Sequence, residues 1–224
     1  MAKRRSIESE MRDDIVRGRI SADSWLRMED LKGRFDVGFS PIREALSRLA
    51  AEGLVELEPN RGFRVPALSR DDLADIAVTR AAIETAALRR SIERGDHDWE
   101  VGVVSAMHRY RLKSETAFED EDTLRAWEEA HEALHASLIA ACASPRLIAT
   151  QKRLQDQHTR YRRVIVTPHV SAHAHVEEHE RLVALALARK VDEAVVAIER
   201  HMMITVDALD AADFWQPANF ARQD

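Results

Sequence analysis

A chain of 224 residues with 45% apolar side chains, seven Gly and six Pro is long enough for one sizeable core and a small second module, and its Ala-, Leu-, Glu- and Arg-rich stretches favour helix. Lone Cys142 excludes an internal disulfide framework and suits a reducing cytoplasm. No apolar run approaches the ~18 residues of a membrane span, and no apolar stretch follows the basic start as in a secretory signal. The net charge of −6 is unevenly placed: up to Arg70 there are 14 Lys+Arg against 12 Asp+Glu, and beyond it 19 against 27. All ten histidines lie in that acidic portion, so two modules are expected, 1–70 and 71–224.

In the first module Ile7, Met11, Ile15 and Val16 step along one helical face until Gly18. "LRMEDLKGRF" (26–35) has helix-compatible apolar spacing at Leu26, Leu31 and Phe35. After the turn "DVGF", Ser40 is the expected N-cap and Pro41 the first residue of a helix whose buried stripe is Ile42, Ala45, Leu46 and Leu49. Gly53 closes it, and "LVELE" and "GFRV" alternate around "PNRG" as a hairpin. Helix, helix, turn, helix, hairpin is the winged helix-turn-helix plan, which lays the helix after the turn in the major groove. Arg43 near its start has the fork that pairs with guanine O6 and N7. Arg48, and Arg61 at the hairpin tip, are further candidate DNA contacts, with ordinary solvated charges as the alternative.

"SPIREALSRLAAEGLVELEPNRGFRV" resembles the signature of the GntR family of bacterial transcription regulators. The resemblance implies DNA contact by Ser40, Arg43, Arg61 and Gly62. Phe39 stands where many members carry a base-reading arginine, and it is a candidate for a thymine-methyl contact.

The second module reads as all-α, giving a mainly α chain. Helical patterns run over 70–95, from about Val101 to Ser114, from about Thr123 to Cys142, and from the "SP" break at 144–145 to about Val166. His169, His173 and His175 fall in a connection and are expected to be solvated. Two last helices follow. His179 and His201 each lie eleven residues from Lys190, so an antiparallel hairpin turning there sets both about 16 Å from the turn, level with one another. "HEALH" (131–135) puts His131 and His135 on one helical face. Four imidazoles from three helices make a candidate metal site.

H-E-x-x-H is also the zinc-peptidase pattern, but no glycine or third histidine continues it as in metzincins. Only Glu177, Glu178 and Glu180 offer a loosely placed further ligand, and Glu132 sits about 100° around the helix from His131. A regulator is therefore expected rather than an enzyme. "LHASLIAACASPRL" and "EHERLVALALARKVDEAVVAIERHM" resemble the FCD domain of the FadR branch of GntR regulators. That resemblance implies metal ligands at His131, His135, His179 and His201, with His131 in place of the family's Asp.

Four neutral imidazoles suit Zn, or Ni, over harder ions and favour an anionic further ligand. The expected effector is a small organic acid, dicarboxylates such as glutarate included, with Arg80 and Arg162 as candidate partners for a second carboxylate. An ordinary Arg80–Glu84 salt bridge is the alternative. The expected assembly is a cytoplasmic homodimer on a palindromic operator. A metal-sensing regulator and a purely structural ion are the rivals.

Overall fold

The computed structural model describes residues 6–115, 120–165 and 176–216; the connection holding His169, His173 and His175 lies outside them. The chain opens with α1 (Ile7–Val16), capped by the Ser6 side chain accepting from the Ser9 amide, and buries Met11, Ile15 and Val16. A short strand β1 (Trp25–Leu26), α2 (Met28–Phe35), α3 (Phe39–Ala51), β2 (Glu56–Glu58) and β3 (Gly62–Arg64) complete the head. The strands pair antiparallel in the order β1-β3-β2, with Leu26 and Leu57 both opposite Phe63. Met11, Ile15, Leu31, Phe35, Ile42, Leu46, Leu49, Leu54, Phe63 and Val65 form one core.

Two local expectations are corrected. Leu26 belongs to the sheet rather than to the second helix; its side chain still enters the core, so the apolar spacing there reported burial and not helix. Helix α3 begins at Phe39 with Gly38 as N-cap and no side-chain cap. Ser40 is therefore inside the helix, and Pro41 is its third residue. The first four amides of a helix have no intrahelical acceptor, so proline is tolerated there.

The second module is a helical bundle. It comprises α4 (Arg70–Arg94), α5 (His97–Ser114), α6 (Glu121–Ile139) with a 3-10 turn over Ala140–Cys142, α7 (Pro145–Ile165), α8 (Val176–Leu187) and α9 (Val191–Ala211). The cap at Asp96, which accepts from the Trp99 amide, starts α5 ahead of the apolar stripe that announces it. Helix α4 is the spine, packed on α7 and α9. Around it Leu88, Ile92, Trp99, Val103, Leu134, Leu138, Leu182, Ile198 and Met202 form the larger core. A smaller one of Leu73, Ile76, Ala77, Tyr161, Val206 and Leu209 lies toward the head-proximal end of α4. Among the described residues no helix is long and apolar enough to cross a membrane.

The two modules are clamped by charge. The Arg17 guanidinium, at the end of α1, donates to buried Glu128 of α6 at 2.6 Å. Arg163 of α7 grips the same carboxylate at 2.7 Å and donates to the Arg17 carbonyl at 2.8 Å. Arg12 reaches Asp156 of α7 at 3.1 Å, and the Gln157 amide donates to the Glu52 carbonyl at 2.6 Å.

Candidate metal centre and nucleic-acid interface

Helix α6 is started by a reciprocal cap between Asp120 and Thr123, which fixes the register of the face it buries. Trp127, His131, Leu134, His135 and Leu138 all point inward, the 3.6-residue period carried by apolar and imidazole groups alike. His179 of α8 and His201 of α9 meet them. Ring centroids are 4.7 Å apart for His131–His135, 5.0 Å for His131–His179, 5.1 Å for His135–His201 and 4.4 Å for His179–His201. One donor atom from each of the four lies within 4.8 Å of every other. That is slightly wider than the ~4.2 Å maximum for nitrogens bound to one ion at ~2.1 Å, so small side-chain rotations suffice.

The donor set fits a metal chemically as well. Burial, with the neighbouring positive charges of Arg162 and the other rings, drives the His131 pKa well below the ordinary histidine value. Burial likewise brings His201 to about 4, despite Glu178 beside it. Neutral imidazoles keep the lone pairs that coordination needs. The His135 Nδ1 lies 3.2 Å from the Glu84 carboxylate, with which it pairs as an N–H donor, leaving Nε2 as its lone pair. The His201 and His135 Nε2 atoms are 3.2 Å apart.

Both expected effector arginines border this cluster, in different states. The Nε and Nη2 of Arg80 both donate to Glu84, at 3.0 and 2.7 Å, and Nη2 also to Gln155 at 2.6 Å. The i,i+4 pair is thus real but fully buried rather than superficial. Burial alone would raise the Glu84 pKa; Arg80 and His135 overcome it and hold the carboxyl at about 2. Arg162 is also buried, and its Nη1 donates to His131 Nδ1 at 2.8 Å while the guanidinium lies over the Trp127 ring at 5.4 Å. Its Nε and Nη2 have no hydrogen-bond partner among the described residues.

The peptidase pattern dissolves at Glu132. Its carboxylate accepts from Lys152 at 3.4 Å and is not among the four clustered donors. Of the nominated glutamates, Glu178 stands 3.9 Å from His201 Nδ1 and is half exposed.

In the head, Phe39, Ser40, Arg43 and Arg48 line the exposed start and outer face of α3. Phe39 is 41% exposed, with the Lys32 ammonium 5.0 Å from its ring. Arg48 pairs with Glu8 at 3.3 Å. At the wing, Arg61 stacks over Trp25 at 4.5 Å and pairs with Glu58 at 3.1 Å. Gly62 follows with φ +100°, a conformation that favours glycine.

Residues 3–65 match the family model of bacterial regulatory proteins of the gntR family, and residues 75–203 match the FCD domain. The chain is 40% identical over 200 residues to the HTH-type transcriptional regulator BphR of Paraburkholderia xenovorans (strain LB400), covering 89% of this chain and 82% of that one. The chain belongs to the gntR family. It is a DNA-binding transcriptional regulator with an FCD domain, and the families it matches are regulators, not enzymes. The HTH-type transcriptional repressor GlaR of Escherichia coli (strain K12) is 33% identical over 207 residues, 90% of this chain and 93% of that one. A GntR-type regulator from Rhodococcus sp. RHA1 shares the fold at a TM-score of 0.74 and 18% identity, over 92% of this chain and 96% of that chain.

Sequence reasoning missed His158 and Gln155 on α7. Both are buried in this gntR-family regulator, yet their surroundings, "QKRLQDQHTRYRR", look like a solvated helix. The available signal was spacing: Gln151, Gln155, His158 and Arg162 recur at i, i+4, i+7 and i+11, a stripe as regular as any apolar one.

Proposed function

We propose that this regulator is a cytoplasmic repressor that binds a palindromic operator as a homodimer and is released by a small organic acid. His131, His135, His179 and His201 would hold a divalent ion, Zn or Ni by the softness of four nitrogen donors. The bound ion supplies a positive charge and open coordination positions for a carboxylate. Arg80 is engaged by Glu84 and Gln155, so Arg162 is the better placed of the two for a second carboxylate, and dicarboxylates such as glutarate would fit between the ion and that guanidinium. In the head, Phe39, Ser40, Arg43, Arg48, Arg61 and Gly62 would meet the DNA, and residues 1–70 and 71–224 would act as separate reading and sensing modules. The observation that carries this reading is the convergence of four imidazoles from three helices, three of them buried and His201 half-buried, beside two buried guanidinium groups.

The test is a fluorescence-anisotropy titration of labelled operator with metal-free and metal-loaded protein, with and without C4 to C6 dicarboxylates. Release that needs both ion and acid, and is lost in His179→Ala, is the expected result. Release by the ion alone would make the protein a metal sensor. Release by acid that survives chelation and His179→Ala would leave the ion a structural role at most and overturn the proposal.

A further inference from the structure

Arg80 and Arg162 are both buried; Arg80 is hydrogen-bonded to a carboxylate, while Glu128 and Glu132 act on Arg162 through charge alone. The Nε–Nη2 edge of Arg80, the side-on fork of a guanidinium, is filled by Glu84 from its own helix. The same edge of Arg162 has no hydrogen-bond partner among the described residues. One turn earlier on α7, His158 is 5% exposed, and neither of its ring nitrogens has a partner among the described residues. Four polar atoms without partners, on two side chains more than nine-tenths buried, are costly together. Two parallel N–H donors on a planar fork match one ligand above others, a carboxylate held bidentate.

A second observation ties this edge to the imidazole cluster. Arg162 Nη1 donates to His131 Nδ1 at 2.8 Å. A guanidinium has only donors, so Nδ1 accepts and the proton of the neutral ring sits on Nε2. In that state the one lone pair of His131, on Nδ1, is held by Arg162. The ring can ligate an ion only when Arg162 lets go of Nδ1.

Resting on the effector reading above, we infer that Arg162 and His158 form a distal carboxylate subsite, and that Arg162 is shared between His131 and the far carboxylate of a dicarboxylic effector. His158 donates a further hydrogen bond to the same carboxylate. A dicarboxylate that engages Arg162 releases the His131 nitrogen for the ion, so ion and dicarboxylate bind cooperatively. By linkage each tightens the other by the same factor. A monocarboxylate reaches the ion end only and leaves Arg162 on His131.

The experiment is calorimetric titration of Zn²⁺ into the full-length metal-free protein, in buffer, in glutarate and in butyrate, together with titration of each acid into metal-loaded protein. Glutarate is expected to tighten Zn²⁺ binding about tenfold more than butyrate, the scale of one charge-assisted pair. Arg162→Met is expected to bind Zn²⁺ more tightly than wild type in plain buffer, because His131 is no longer occupied, and to treat the two acids alike. His158→Phe should shrink the glutarate advantage and His158→Gln should restore part of it, with circular dichroism confirming that each variant is folded. An undiminished glutarate advantage in Arg162→Met, or Zn²⁺ affinity in that variant no higher than in wild type, overturns the inference. Equal binding of both acids to wild type overturns the subsite and leaves the effector reading standing; binding of neither ends both.

Discussion

Glu84 has two jobs that conflict with its burial. It balances the charge of Arg80 and it holds the His135 ring by Nδ1. Removing one partner of a buried pair leaves the other charge unpaired, at a cost of about 3–5 kcal/mol. Glu84→Gln is therefore expected to destabilise the protein by about 3 kcal/mol, read as a lower urea midpoint. Glu132→Gln, whose carboxylate only meets a lysine 55% exposed, is expected to stay within about 0.5 kcal/mol of wild type. At the other end of the molecule, Arg43→Ala is expected to weaken specific operator binding by about 1–3 kcal/mol with a smaller effect on random DNA. A gel-shift competition showing equal loss on both would reduce Arg43 to a phosphate contact.

Elements were legible to different depths. The long helices of the bundle announce themselves by apolar period, and the symmetry of His179 and His201 about Lys190 is the geometry of α8 and α9. Strand β1 was not legible, because a two-residue strand has no period of its own and exists only through Trp25 and Leu26 pairing with Arg64 and Phe63. The polar stripe of α7 was hidden for a different reason: partners from α4 and α6 decide whether a glutamine or histidine is solvated, and those contacts are far away in the chain. The junction of α3 with α7 is similarly invisible. Gly53 follows α3 at φ +76°, and a Cβ there would clash with the Gln157 amide nitrogen. Gly53→Ala is thus strained in backbone and crowded against a side chain that bridges the two modules. A loss of about 1–2 kcal/mol is expected, and a thermal midpoint unchanged from wild type would show that Gln157 simply moves aside.

At the scale of the whole molecule, the head rests on the bundle through Arg12, Arg17, Glu128, Asp156 and Arg163 rather than through an apolar interface. Ionic contacts of this kind are strong only while both partners stay in place. Arg17→Ala leaves Glu128 with Arg163 alone and is expected to retain the metal content of wild type while changing how strongly an effector alters operator affinity. Equal effector response in Arg17→Ala and wild type would mean that the clamp holds the modules without coupling them.

Arg162 and Arg163 are consecutive residues with different neighbours, one the imidazole of His131, the other the carboxylate of Glu128 and the carbonyl of Arg17, which caps α1. The imidazole cluster and the contact between head and bundle therefore adjoin across a single peptide unit. On the effector reading proposed above, substitutions around Arg162 would retune which acid is recognised while leaving the Arg163–Glu128 contact intact.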